Sequence, residues 1–198
     1  GEVRRYWMDE LRQMDQPPFD IGPDALFVAF FASADLSVFL GLRWELPTNV
    51  FDCYAEFLCQ TNGESLPVRK SQIVALQYFG ITVGDQIAKD YMRQRILTGG
   101  PWSSDERLAI LDYCQSDVDG LAMLFAAMLA RWPLGLMDLD QVLARGRYVA
   151  TVAQMEHRGV PIDTSTLNLI RDNWHEFKQA LIEKTDQAYG VYDKGSFR

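Results

Sequence analysis

The sequence predicts an α/β fold, and three observations carry that prediction. LFVAFF at Leu26–Phe31 is a continuous apolar run of strand length preceded by the turn-forming stretch PPFDIGPD. NVFD at Asn49–Asp52 is a second short extended piece, and it leads into CYAEFLCQ, whose spacing is helical. Between the two, ADLSVFLGL is helical as well, so strand, helix, strand and helix alternate as they do in α/β domains.

The remaining elements are read in chain order. EVRRYW, near the start, reads as an inner strand, and TNGESLP is a loop. VGDQIAKDYMRQRILTGG is a helix that stops at Gly99-Gly100. Ser103 with Glu106 three residues later is a capping box and starts a helix over Ser104 to Arg131. RWPLG, Arg131 to Gly135, breaks the chain at a proline. Two helical stretches follow, LDQVLARGRYVATVAQMEHRG and TSTLNLIRDNWHEFKQALIEKTDQA, joined by the turn GVPID. No internal repeat or low-complexity segment is present.

Composition bounds the function. The 198 residues, 48% hydrophobic and 23% charged, suffice for one domain with a real core plus an appendage. A net charge of -8 and a pI near 4.7 argue against a wide basic surface gripping nucleic acid, and leave room for a nuclease that holds only a few nucleotides. Cys53, Cys59 and Cys114 sit among apolar residues without a CxxC pair, so they read as reduced core thiols of a cytoplasmic protein. No apolar run reaches the roughly 20 residues that span a membrane, and GEVRRYWMDEL lacks the apolar stretch of a signal peptide. Neither a membrane nor secretion is expected.

LDYCQSDVDG, Leu111 to Gly120, sets three aspartates and a tyrosine inside an otherwise apolar helix. At about 100° per residue, Leu111, Cys114, Val118, Leu121, Phe125 and Met128 share one arc, the predicted core face. Asp112 and Asp119 fall opposite and read as solvated acids. Tyr113 and Asp117 are one turn apart on a stripe at the edge of that arc, and Gly120 continues the stripe, where something can approach closely. YxxxD alone is a weak motif.

YCQSDVDGLAML followed by RWP resembles the third exonuclease motif of the proofreading domain of family A DNA polymerases, the tyrosine subclass of the DEDD exonucleases. FASADLSVFLGLRWELPTNVFDCYAEF is similar to the second motif, and RGRYVATVAQMEHRGVPIDTSTL looks like the start of the polymerase region leading into the thumb. The resemblance runs in order from about Phe31 to Asp186. It implies an α/β, ribonuclease H-like exonuclease fold over residues 1–134, incomplete because the first-motif strand is lacking, and a helical thumb-like segment over 135–198.

The same resemblance implies roles for individual residues. Asp117 matches a metal-binding carboxylate, Tyr113 the hydroxyl that orients the attacking water, and Asp35 the second-motif aspartate that supports the other metal. Two divalent ions, Mg2+ or Mn2+, would neutralise the phosphate and generate hydroxide near neutral pH, and oxygen ligands suit such hard cations. The partner would be the single-stranded 3′ end of DNA, together with the remainder of the polymerase chain. Read alone, Asp35 is an acid favoured by a helix dipole. Asp52 is either a helix cap or a secondary site residue. Lys89, Arg93 and Arg95 are by default a solvated cationic face, with contact to strand phosphates as the alternative. His157 and His175 have no partner at useful spacing, and Trp102 reads as loop packing.

The family's first motif, a D-x-E on the opening strand, has no counterpart here. Asp9 and Glu10 are adjacent and would face opposite sides of a strand, while Asp15, Asp20 and Asp24 have no acid two residues on. The chain therefore reads as an excerpt of a longer protein, truncated at both ends and expected to be inactive by itself. Asp35 and Asp117 are expected within roughly 10 Å of each other, since paired metal ions lie about 3.5 to 4 Å apart. The alternative is an exonuclease-like scaffold that binds DNA or braces the polymerase without catalysis.

Overall fold

In the computed structural model the described residues are 2–66, 71–82, 86–131 and 138–198, with residues 86–89 described by their backbone alone. In chain order the elements are α1 (Met8–Leu11), β1 (Phe27–Ala29), α2 (Ala32–Gly41), β2 (Val50–Asp52), α3 (Cys53–Gln60), α4 (Gln72–Tyr78), α5 (Gln86–Leu97), α6 (Ser104–Arg131), α7 (Leu139–Arg158), α8 (Thr164–Asp172), α9 (Trp174–Tyr189), β3 (Tyr192–Asp193) and β4 (Ser196–Phe197). The fold is mixed α/β and mostly helical. The proline break read in RWPLG, beyond Arg131, lies outside the described residues, as does the expected helix start at 83–85. Two compact units divide the chain, Gly1–Arg158 and Gly159–Arg198.

In the first unit β1 and β2 pair in parallel, Phe27 opposite Val50 and Ala29 opposite Asp52, with α2 as the crossover between them. Successive side chains of a strand point to opposite faces, and the core divides accordingly. Phe51 and Val28 join Leu124 and Met128 of α6, Phe57 of α3 and Leu76 of α4 on one face. Ala29 and Val50 join Leu36 of α2 and Ala153 of α7 on the other. The α7 backbone comes so close to β2 that a Cβ on Gly146 would stand 2.0 Å from the Val50 carbonyl oxygen. Only glycine permits that contact. The sequence reading places α7 in the second domain, beyond residue 134; its packing places it in the first unit.

Four further expectations differ from the structure. EVRRYW is extended but joins no sheet among the described residues; instead Arg5 pairs with Asp112 at 2.7 Å and hydrogen-bonds Gln115, and Arg107 lies 4.9 Å from the Trp7 ring centre. Two adjacent arginines are too costly to bury on an inner strand, and Asp112, expected to be solvated, gives one of them a partner. The core face of α6 is also rotated. Val118 is 61% exposed and Cys114 is exposed, whereas Ile110, Gly120, Leu124 and Met128 are buried. Asp117, Gly120, Leu124 and Met128 share one stripe, so Tyr113 and Asp117 lie on the inward side of α6 rather than at its margin. The rotation follows from α4, which packs against Gly120 through Leu76 and Gln72. Of the cysteines Cys53 alone is buried; Cys59 and Cys114 are exposed, and all three are free.

In the second unit the single helix read from TSTLNLIRDNWHEFKQALIEKTDQA is interrupted at Asn173, whose side-chain amide donates to the Leu169 carbonyl at 2.8 Å. Asp163, from the turn GVPID, caps α8 by accepting from the Ser165 and Thr166 N–H groups. A short antiparallel hairpin, β3–β4, follows α9 and is closed by edge-to-face contact of Tyr192 and Phe197.

Candidate functional site

Helix α6 begins as its sequence dictates. The Ser103 N–H donates to Glu106 at 2.9 Å and the Glu106 N–H to the Ser103 hydroxyl at 3.3 Å. The bond from the Ser103 N–H first, then Arg95 and the Ser103 hydroxyl, pull the Glu106 carboxyl down to about 2. Two turns further on, Tyr113 and Asp117 are both half-buried. The Asp117 carboxylate, one turn along the helix, acts on the Tyr113 hydroxyl. Burial first, then that carboxylate, hold the tyrosine above its ordinary pKa, while the charge of Arg93 acts in the opposite sense. The phenol therefore stays protonated at neutral pH. It can orient a polar group and cannot act there as a base.

The turn carrying Asp117 is anchored from outside the helix. The Gln72 side-chain amide donates to the Asp117 carbonyl oxygen at 2.9 Å, joining α4 to α6 at this point. Sequence reasoning missed α4 and Gln72 together. Ser71, which caps α4 through the Val74 N–H, is the local signal that could have marked the helix.

Asp35 and Asp52 form a second acidic locality. Asp35 lies in the first turn of α2 and reaches solvent. Asp52 is 5% exposed and accepts from the backbone N–H groups of Phe31 at 2.9 Å, Ala32 at 3.1 Å and Tyr54 at 2.9 Å. Three donors take up most of the roughly four acceptor directions of a carboxylate. Asp52 is thus the cap of α3 and also holds the entry to α2, where Phe31 adopts left-handed backbone at φ 66°, a conformation that costs a non-glycine residue roughly 1–2 kcal/mol. Burial raises the Asp52 pKa against the pull of these bonds.

The charge acting on Asp35 is that of Asp52. Burial first, then Asp52, lift the Asp35 carboxyl from 3.8 to about 6. An acid whose pKa is raised on folding binds its proton more tightly in the native state, so stability falls as pH rises from about 4 to about 6. Its contact with solvent screens this effect. Asp35→Asn is expected to flatten that part of the profile, as checked by thermal melting between pH 4 and pH 7. A slope identical in both proteins would show that Asp35 is not its source.

The cationic candidates separate. Arg95 is committed: it pairs with Glu106, stands 4.7 Å from the Trp102 ring centre and bonds the Thr98 hydroxyl at 3.2 Å. Trp102 is therefore loop packing, as read from the sequence. Arg93 acts on Tyr113, and the Lys89 side chain lies outside the described residues. Among the described residues no three His, Cys, Asp or Glu side chains gather closely enough to hold a metal ion. A cavity of about 670 Å³ lies between residues Glu2–Tyr6 and the Leu111, Cys114 and Val118 side of α6, away from the Tyr113–Asp117 stripe. No described helix is long and apolar enough to cross a membrane.

Comparison with protein-family models, with curated proteins and with solved structures finds no match to this chain. What the site can do therefore rests on its own chemistry. It offers a protonated hydroxyl beside a carboxylate, with the charge of a guanidinium acting on it.

Proposed function

We propose that the chain is part of a DNA polymerase and carries the 3′-5′ exonuclease centre of a ribonuclease H-like proofreading domain, running on into the start of the thumb. The observation that supports this reading is the placement of Tyr113 and Asp117 one turn apart on the inward stripe of α6, with the charges of Asp117 and Arg93 both acting on the tyrosine. In this reading Tyr113 orients the attacking water, Asp117 is a metal-binding carboxylate and Asp35 supports a second ion. Arg93 meets a phosphate of the single-stranded 3′ end, and the setting is cytoplasmic, of bacterial or phage type. Mg2+ or Mn2+ would neutralise phosphate charge and generate hydroxide there. The described residues do not by themselves make a two-metal centre: no three of their His, Cys, Asp or Glu side chains gather closely enough, and Asp52, beside Asp35, already accepts three backbone N–H groups. The reading thus requires carboxylates beyond these.

In the intact protein, Tyr113→Phe is expected to slow hydrolysis while leaving Mn2+ affinity largely in place, since the hydroxyl is not a ligand. Asp117→Ala is expected to lose both. Mn2+ titration followed by paramagnetic resonance separates the two, and equal loss of affinity in both variants would contradict the assignment.

One observation favours a second reading, a non-catalytic scaffold. Among the described residues no group of three His, Cys, Asp or Glu side chains that could hold a metal ion joins Asp35 and Asp52 to Asp117.

A further inference from the structure

A cavity of about 480 Å³ opens at the carboxyl ends of β1 and β2, between α3 and α7. Ligands of open α/β sheets settle at that end of the strands, and the volume lies within the range of small-molecule sites. On α7 the lining residues recur at 145, 148, 149, 152 and 156, one continuous helix face. Tyr113, Asp117 and Asp35 do not line this cavity, while Asp52, which caps α3, does.

Three aromatic rings border the space. Phe31, 53% exposed, meets Tyr54 edge-to-face at 5.5 Å, and Tyr148, 70% exposed, enters from α7. The left-handed backbone of Phe31, held by Asp52, keeps its ring out of the core. Ser33 also lines the cavity. It is 7% exposed, and its hydroxyl, which makes no bond to the described residues, is not closed off from solvent. A hydroxyl at the edge of the space can donate to or accept from a ligand there.

Charge narrows the ligand. Among the described residues the one cation of the lining, Arg145, is committed to Glu56 through two bonds of 2.6 and 2.7 Å, while Asp52 and Glu156 add negative charge. A phosphate would meet two carboxylates there and a guanidinium already engaged. We propose that this cavity binds a small, flat, uncharged aromatic ligand of the nucleobase class, as a free nucleoside carrying no phosphate, stacked on Tyr148 and Phe31 and hydrogen-bonded by Ser33.

The test titrates the full chain with adenosine and with adenosine monophosphate, followed by saturation-transfer NMR. Adenosine is expected to bind saturably, and the monophosphate a few-fold more weakly because of the carboxylates. Tyr148→Ala, at an exposed position that the fold does not need, is expected to weaken adenosine about tenfold. Ser33→Ala is expected to weaken it several-fold, with circular dichroism confirming that both variants are folded. Absence of saturable binding, a monophosphate that binds as tightly as the nucleoside, or affinity unchanged in folded Tyr148→Ala would each overturn the proposal. So would self-association of the chain that buries Tyr148, which would make a second copy the occupant.

Discussion

Arg145→Ala is expected to destabilise the first unit by about 3–5 kcal/mol, the cost of leaving a buried carboxylate without its counter-charge. The carboxylate is Glu56 on α3, 1% exposed, which accepts from the Arg145 Nε and Nη2 groups in a forked arrangement. Arg145 itself is 31% exposed, so the burden falls unequally on the two partners. Removing the arginine strands a charge in the core, whereas removing the glutamate leaves a guanidinium that can turn to water. Glu56→Gln should therefore cost less than Arg145→Ala, and replacing both residues by apolar ones of similar volume should recover much of the loss. Chemical denaturation of the four proteins checks the order. A loss below about 1 kcal/mol for Arg145→Ala would place the pair among surface ion pairs in its energetics.

Leu124→Ala is expected to cost about 2–5 kcal/mol. Leu124 is fully buried among Phe51, Phe57, Leu76 and Met128, where α6 covers one face of the sheet. Leu121 packs at the margin of that cluster and should cost less. Val118, 61% exposed, should change stability by no more than about 0.5 kcal/mol when cut to alanine. This order distinguishes the observed face of α6 from the one that apolar periodicity alone predicts. A larger loss at Val118 than at Leu124 would restore the predicted face.

That rotation shows what the sequence could and could not convey. Ser103 and Glu106 were legible because a capping box is complete within four residues. The two strands were legible because short apolar runs bounded by turn residues have few other uses. Val118 and Cys114 misled because periodicity reports an apolar arc without saying which neighbour covers it, and the neighbour that decided, α4, went unread. Glu56 and Arg145 gave no local sign, since a pair joined only by the fold has no spacing to recognise. Asp52 was legible as a cap of the helix after it; its grip on Phe31 and Ala32, across the crossover, was not. At the candidate site the sequence spacing of Tyr113 and Asp117 correctly put them within reach of each other, because i and i+4 are neighbours on any helix. The expected approach of Asp35 to Asp117 came from the resemblance, since residues 82 positions apart share no local geometry.

The most direct measurement of the central claim is nucleotide release from single-stranded DNA by the intact protein in Mn2+, using strands labelled at the 3′ or the 5′ end. The proofreading reading predicts that label leaves first from the 3′ end, one nucleotide at a time, and that Asp117→Ala lowers the rate by a factor on the order of 100 or more, the scale of losing a group that acts on the transition state. Release undiminished in Asp117→Ala, or no release from either end by the intact protein, would contradict it, and the second result would leave the scaffold.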